Sequence, residues 1–276
     1  MMASTARAYA PSDDLHVIHV PSDPNGLAYD RNDDTLYLAD GDSGAVLAIA
    51  QGHRRRIATI DSAGIVASNR LGGIAVTPDG TLYVARLGHG HAGAIFRIRH
   101  GAVTQLADLS PRAWRLGVVY DEREHALYAT QFHKVVTGPC DGTIVRIDLT
   151  TGAVVPVIDG FRKPVGVAKL GSTLVITDAR QRAVYRVELA GGRATRCTQL
   201  AAGIDRPDSI AACGPDAVVV TTYEPDTRIG SVRQIWLDGG VRTIAQGAWE
   251  PRGIATDGER AFVSVRGRGR VLVLPL

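Results

Sequence analysis

The chain of 276 residues has few aromatic side chains, few cysteines and no strong excess of either charge. Phe, Trp and Tyr make up only 5% of it, so Val, Ile, Leu and Ala must form most of a core drawn from 45% hydrophobic residues. Its 31 basic and 28 acidic residues give a formal net charge of +3, and no run of five like charges occurs. This balance argues against nucleic acid as a partner.

The three cysteines, Cys140, Cys197 and Cys213, are an odd number without the spacing of a metal site. Free thiols in a reducing compartment are the simplest interpretation. The segment from Met1 to Pro11 lacks the continuous apolar core of a secretion signal, and no stretch is long and apolar enough to span a bilayer. These features predict a cytoplasmic protein without a membrane partner.

Several catalytic motifs are also missing. The sequence contains no Gly-rich phosphate loop, no nucleophile elbow, no His-Glu-x-x-His and no Cys-x-x-Cys. Nucleotide-dependent, serine-hydrolase and zinc-protease functions therefore have no support.

What the sequence does contain is a repeated hairpin, seen most clearly at Gly73–Arg86. A short apolar strand leads into the turn Pro78-Asp79-Gly80, where Pro presets φ and Gly accepts a positive φ, and a second strand follows. The same pattern recurs at intervals of 43 to 49 residues, and its six copies start at Gly26, Gly73, Gly117, Gly166, Ser209 and Gly253.

Each copy is followed by a third strand, and the first five also by a fourth, which is typical of a β-propeller blade. The sixth unit has only three strands before the chain ends, and Leu15–Val20 supplies the fourth. The sequence therefore predicts an all-β, six-bladed propeller that its N-terminal strand closes. Residues 1–14 are predicted to be a flexible tail, and residues 15–276 one domain.

The Gly-apolar-Ala starts of the units and second strands such as Leu82-Tyr83-Val84-Ala85 resemble those of the SMP-30/gluconolactonase and NHL-like six-bladed propellers. The segments Pro24–Asp30 and Pro207–Ala211 are most similar to the SMP-30 type. The resemblance implies a small-molecule enzyme with one divalent metal ion (Ca, Mg, Mn or Zn) at the mouth of the central channel. Asn25 and Asp208 match metal-ligand positions of that family. The pattern departs from the family at Val165, which stands where an Asn ligand is expected, and no Glu stands at the first position.

Propeller geometry brings two sets of residues to one face of the ring, where a ligand site is expected. The residues just before the first strand of each unit are Asn25, Gly72, Leu116, Val165, Asp208 and Arg252. The residues that end the second strands are Asp40, Arg86, Gln131, Asp178, Thr222 and Val265. Both sets are predicted to crowd the mouth, with extra space beside Gly72. The alternative is that the charged members form ion pairs between blades.

Histidines on two longer loops of the same face are candidates for proton transfer or metal binding. They are His89 and His91 on the loop of blade two and His133 on blade three, although solvated loop histidines without a role are the alternative. Arg86 or Arg252 would stabilise developing negative charge, and Asp40 or Asp178 would complete a metal set. Asp40 and Asp178 are also candidates for substrate binding. The other candidates are Gln131, Tyr223, Trp114 and Trp249, the tryptophans being either pocket walls or packing between blades.

Three functions fit these features. The first is hydrolysis of a lactone or related ester, with water activated by a metal ion or by histidine. The second is a metal-independent lyase, isomerase or cyclase step that uses His133 as acid and base. The third is a non-catalytic NHL-like binding scaffold. In the first two a small-molecule substrate is the expected partner.

Overall fold

The computed structural model describes residues 16–21, 23–62, 64, 70–88, 91–133 and 141–276. The first strand in the chain is β1 (His16–His19). Blade one consists of β2 (Pro24–Asp30), β3 (Thr35–Asp40), β4 (Ala45–Ala50) and β5 (His53–Thr59). Blade two consists of β6 (Leu71–Val76), β7 (Leu82–Arg86), β8 (Ala94–Arg99) and β9 (Ala102–Gln105). Blade three consists of β10 (Val118–Asp121), β11 (Ala126–Gln131), β12 (Gly142–Asp148) and β13 (Val154–Phe161).

The second half of the ring repeats this arrangement. Blade four consists of β14 (Pro164–Leu170), β15 (Thr173–Asp178), β16 (Ala183–Ala190) and β17 (Arg193–Ala202). Blade five consists of β18 (Ile210–Ala212), β19 (Ala217–Glu224), β20 (Ile229–Trp236) and β21 (Val241–Gly247). Blade six consists of β22 (Pro251–Thr256), β23 (Arg260–Val265) and β24 (Arg270–Pro275), completed by β1. The predicted six-bladed propeller is confirmed.

Closure of the ring joins the two ends of the described chain. Strand β1 pairs antiparallel with β24, with His16 opposite Val273 and His19 opposite Arg270. The predicted closing strand is thus confirmed, although its first residue, Leu15, lies outside the described residues. Pairing of this kind leaves blade six with the same four strands as the others and covers the outer edge of β24.

The hairpin at Gly73–Arg86 forms as its turn residues predict. Gly80 has a φ of 75°, and its backbone N–H donates to the carbonyl of Thr77 over 2.9 Å. Strand β7 is buried along its whole length, as expected for a strand packed between two neighbouring blades. Cys197 and Cys213 are free, and Cys140 lies outside the described residues. No helix within the described ranges has the length and hydropathy needed to cross a bilayer.

Two kinds of contact draw the first strands of the blades together around the channel. A Cβ atom on Gly26 would lie 1.8 Å from the carbonyl oxygen of Gly72, so only glycine permits that approach. In blades three to six a buried hydroxyl at one position of the second strand accepts a backbone N–H of its own blade. The residues are Thr130, Thr177, Thr221 and Ser264.

Three of these hydroxyls also donate across to the following blade, over 2.7 to 3.1 Å. The acceptors are the backbone carbonyl oxygens of Asp208, Arg252 and Asn25. The bond from Ser264 to Asn25 joins blade six to blade one and so closes the ring at its centre. The backbone of three candidate site residues is thereby fixed by buried hydrogen bonds.

Candidate functional site

A cavity of about 450 Å³ opens at the mouth of the central channel. Below it the channel narrows to a space of about 60 Å³. The residues directly before the first strands form the inner ring of the mouth and line that narrow space: Asn25, Gly72, Leu116, Val165, Asp208 and Arg252. All of them except Gly72 also line the larger cavity, which therefore is the place where a small ligand would fit.

A second ring was not predicted from the sequence as a set, although its member Trp114 was among the candidates. It lies two residues before each member of the inner ring, and every member lines the cavity. We call it the outer ring: Asp23, Arg70, Trp114, Lys163, Arg206 and Glu250. The signal was present in the repeat, because alternate residues of an extended segment share one side.

The ends of the second strands do not line this cavity as predicted. Asp40, Asp178 and Val265 are at most 1% exposed, whereas the next residue in each case, Gly41, Ala179 and Arg266, lines the cavity. Successive side chains of a strand point to opposite faces. An error of one residue in the count therefore places a side chain in the cavity when it actually points into the protein interior.

An irregularity of the first strands explains why this alternation could not be counted from the sequence. In four blades the pairing of the first two strands shifts register beside the inner ring, for example between Pro24 and Gly26 and between Pro164 and Gly166. Such bulges redirect side chains locally. The bulge lets Asn25 and Val165 line the channel next to strands that are otherwise regularly paired.

The buried carboxylates of Asp40 and Asp178 are used to hold loops. The Asp40 carboxylate accepts the backbone N–H of Asp42 and the Ser43 hydroxyl. The Asp178 carboxylate accepts four backbone N–H groups, which belong to Arg162, Lys163, Arg180 and Gln181. Neither carboxylate forms an ion pair between blades within the described chain, so the predicted alternative does not apply to them.

Arg252 stands at the centre of a charged network in the cavity wall. Its guanidinium lies 3.4 Å from the Asp208 carboxylate and 2.5 Å from that of Glu250. Glu250 also pairs with Arg266 over 3.1 Å. The side chains of Asp208 and Arg252 are 34% and 30% exposed, so the pair is partly desolvated but still open to a ligand. For Arg252 the predicted ion pairing between blades is found.

The donor set around Asn25 and Asp208 does not fit a divalent metal ion. The amide nitrogen of Asn25 donates to the carbonyl of Leu71, so Asn25 can offer a metal ion only its neutral amide oxygen, and the Asp208 carboxylate already faces the Arg252 guanidinium. Arg252 lies between them on the ring, and Val165, the other neighbour of Asp208, offers only an alkyl group. Among the described residues no three His, Cys, Asp or Glu side chains come together in a metal-binding group.

Arg86, His91 and His133 lie apart from the cavity wall. The Arg86 side chain donates to the carbonyls of Ala92 and Asp61 over 2.7 and 3.1 Å and stacks on Phe96, and burial lowers the pKa of its guanidinium. His91 and His133 are exposed and do not line the cavity, and His89 lies outside the described residues. Their predicted proton transfer stays a prediction.

The space predicted beside Gly72 is filled by the next blade. A Cβ atom on Gly72 would lie 2.8 Å from the carbonyl oxygen of Leu116, so the missing side chain lets two backbones approach instead of widening the mouth.

The predicted binding residues divide between the cavity and its support. Trp114 and Tyr223 line the cavity, whereas Trp249 is 8% exposed and packs in the core between blades five and six. The Gln131 amide oxygen accepts a hydrogen bond from Arg115 over 2.8 Å. Arg115 is 1% exposed, and burial lowers the pKa of its guanidinium to about 10. Gln131 thus contacts a buried arginine and does not line the cavity.

The comparisons with known proteins agree with this architecture. No family model matches the chain, and no curated protein matches it. A gluconolactonase structure from Xanthomonas campestris is 16% identical, with a TM-score of 0.74 over 96% of this chain and 90% of its own. Regucalcin from Agrobacterium tumefaciens, a calcium-binding protein, is 15% identical, with a TM-score of 0.70 over 93% of this chain and 90% of its own.

A virginiamycin B lyase structure from Staphylococcus aureus is 14% identical, with a TM-score of 0.65 over 95% of this chain and 99% of its own. At these identities the likeness shows the fold. It confirms the resemblance to gluconolactonase-like propellers at that level, and the chemistry has to be argued from the residues of the mouth.

Proposed function

We propose that the protein is a hydrolase that opens a lactone or related ester of a small organic acid in the cavity at the propeller mouth. One observation carries the proposal: the guanidinium of Arg252 is held between the carboxylates of Asp208 and Glu250 in the cavity wall. A fixed cation beside a carboxylate is the pair of groups that ester hydrolysis needs. The similarity in fold to a gluconolactonase supports the same reaction class.

Each group has a defined part in the reaction. The carbonyl oxygen of the substrate accepts hydrogen bonds from Arg252, whose charge stabilises the oxyanion that forms when water attacks. The Asp208 carboxylate takes a proton from that water as general base. Collapse of the tetrahedral intermediate breaks the ring C–O bond, and the same proton passes to the departing oxygen. The second proton of the water is released when the new acid ionises, so the products are a hydroxyl and a carboxylate, and a guanidinium binds the carboxylate strongly.

The cation in this account is the guanidinium, because the residues present do not fit a metal ion. A divalent ion between Asn25 and Asp208 would have to displace Arg252 from its partner at 3.4 Å and would gain no ligand from Val165. The calcium-binding protein among the similar structures makes the opposite expectation reasonable for the fold. For this chain no step is assigned to a metal.

A lyase or isomerase step is the second candidate. The likeness in fold to a virginiamycin B lyase favours it, and Arg252 could stabilise an enolate as well as an oxyanion. The two reactions differ in the use of water. Hydrolysis consumes one water molecule, whereas elimination or isomerisation consumes none. A non-catalytic binding protein would bind the same anionic ligands without converting them.

The test uses chelator-treated full-length protein, a panel of five- and six-membered lactones, and water enriched in ¹⁸O. We expect acid release without added metal and one solvent oxygen in the product. Arg252→Gln should lower kcat/KM at least about 100-fold, as loss of an oxyanion donor does, and Asp208→Asn by a similar factor. Arg193→Gln, an exposed position on the outermost strand of blade four, is the matched control and should change nothing.

Turnover that requires added Ca²⁺, or full activity in Arg252→Gln, would overturn the proposal. A product that contains no ¹⁸O from the solvent would show that the site catalyses a lyase or isomerase reaction instead.

A further inference from the structure

Three basic side chains of the outer ring line the cavity without an ion-pair partner among the described residues. Arg70, Lys163 and Arg206 come from blades two, four and five. None of them forms an ion pair or a side-chain hydrogen bond with another residue in the described part of the chain. They differ in this from Arg252 and Arg266, which share Glu250.

The backbone at two of these positions is held by hydrogen bonds. The N–H of Arg70 donates to the carbonyl of Gly41 over 2.6 Å, and its carbonyl accepts the N–H of Leu87 over 3.1 Å. The N–H of Lys163 donates to the Asp178 carboxylate over 3.1 Å. These two side chains therefore extend from a backbone that is already ordered, so mainly side-chain entropy is lost on binding.

Two of the three residues also have an unusual backbone conformation. Arg70 and Arg206 have φ angles of 45° and 31°. These angles lie in the left-handed region, which residues other than Gly, Asn and Asp seldom adopt. Strain of this kind is often found at functional sites. Here it occurs at two equivalent positions of the repeat, each directly at the cavity.

The charges of the cavity are unevenly distributed. Its described wall carries five basic and four acidic side chains, and two of the acidic ones, Asp208 and Glu250, are paired with Arg252. With the other two acidic side chains, Asp23 and Asp42, the wall has a net positive charge of one, which favours a bound anion. Guanidinium groups bind phosphate and carboxylate through paired hydrogen bonds.

We infer that the ligand of this cavity carries a second anionic group, a phosphate or a carboxylate, which Arg70, Lys163 and Arg206 bind. The inference rests on the proposed function in taking the mouth as the ligand site and Arg252 as the group that binds the reacting carbonyl. It narrows the substrate class to lactones or esters that bear an additional phosphate or carboxylate.

Calorimetric titration at low ionic strength tests the subsite, with inorganic phosphate, succinate and neutral glycerol as probes. We expect phosphate or succinate to bind with a Kd of about 1 mM or lower, more weakly as salt is added, and glycerol not to bind. The double variant Arg70→Gln/Arg206→Gln should weaken binding by about 100-fold, a factor of about ten for each charge-assisted contact. Arg70→Lys/Arg206→Lys should lie between the two.

The control is Arg56→Gln/Arg193→Gln, which removes the same charge from exposed positions on the outermost strands of blades one and four. An equal loss in the control, or no binding by the native protein, would overturn the subsite. Preference for phosphate over succinate, or the reverse, identifies the second group. Anion binding without hydrolysis of any lactone would refute the proposed function and leave the subsite standing, whereas hydrolysis without anion binding would refute the subsite alone.

Discussion

The hydroxyl of Thr177 connects blade four to Asp208, a candidate catalytic residue of blade five. Its removal should lower both the stability of the protein and its activity. The side chain is fully buried. Its oxygen accepts the N–H of Gly166 over 2.8 Å and donates to the carbonyl of Asp208 over 2.7 Å. Thr177→Val keeps the shape of the side chain and removes both bonds.

The expected loss follows from the two backbone groups that the variant leaves without a partner. An unsatisfied buried donor or acceptor costs about 1–3 kcal/mol, so the loss of both partners should lower the free energy of unfolding by about 2–6 kcal/mol. The added methyl also stands against the Asp208 carbonyl oxygen, which increases the loss. Thr177→Ser keeps the hydroxyl and loses one methyl, for about 1 kcal/mol. In a chain of this size each kcal/mol corresponds to about 2–4 °C in Tm.

Equilibrium unfolding in urea, followed by far-UV circular dichroism, measures both variants against the native protein. Because Asp208 is fixed through its carbonyl, lactone opening should also fall in Thr177→Val and be retained in Thr177→Ser. Thr177→Val that is as stable as Thr177→Ser would refute the reasoning, since the hydrogen bonds would then contribute nothing that the methyl group does not.

Two further predictions concern the close packing and the turns. Gly26→Ala should lower the free energy of unfolding by at least about 3 kcal/mol, because its Cβ would lie 1.8 Å from the Gly72 carbonyl oxygen. Gly41→Ala, whose Cβ would have its nearest contact at 3.6 Å, should change it by less than about 1 kcal/mol in the same urea titration. A bond from the Thr77 hydroxyl, and then backbone and side-chain bonds from the turn, hold the pKa of Asp79 below its ordinary value of 3.8. The stabilisation by the Asp79 carboxylate is therefore present above pH 3.8 and is lost as the pH falls below that value. Asp79→Asn should lower the free energy of unfolding at pH 7, by less than about 1 kcal/mol at this exposed site. In a pH series of unfolding curves this difference should disappear at the acid end.

The fold could be predicted because the repeat is carried by short-range chemistry. The Pro78-Asp79-Gly80 turn and the apolar strands beside it define one hairpin, and its recurrence defines the ring. The hydroxyl contacts could have been predicted as well, because the same repeat position carries Ala39, Ala85, Thr130, Thr177, Thr221 and Ser264. A polar group at a position that is otherwise apolar and buried has to find a partner.

The candidate site was predicted only in part. Asn25, Asp208 and Arg252 reach the mouth as expected, but Asp40 and Asp178 do not, since bulges in the first strands reset the alternation. A sequence pattern does not show where a bulge occurs. It also does not show which carboxylate an arginine will pair with, because that depends on loops from two different blades.

A crystal structure grown with both Ca²⁺ and a small hydroxy acid tests most directly that Arg252 supplies the cation of this site. The account predicts the carboxylate of the hydroxy acid hydrogen-bonded to the Arg252 guanidinium and no Ca²⁺ between Asn25 and Asp208. A Ca²⁺ ion bound to Asp208, with Arg252 turned away and the hydroxy acid on the metal, would contradict it.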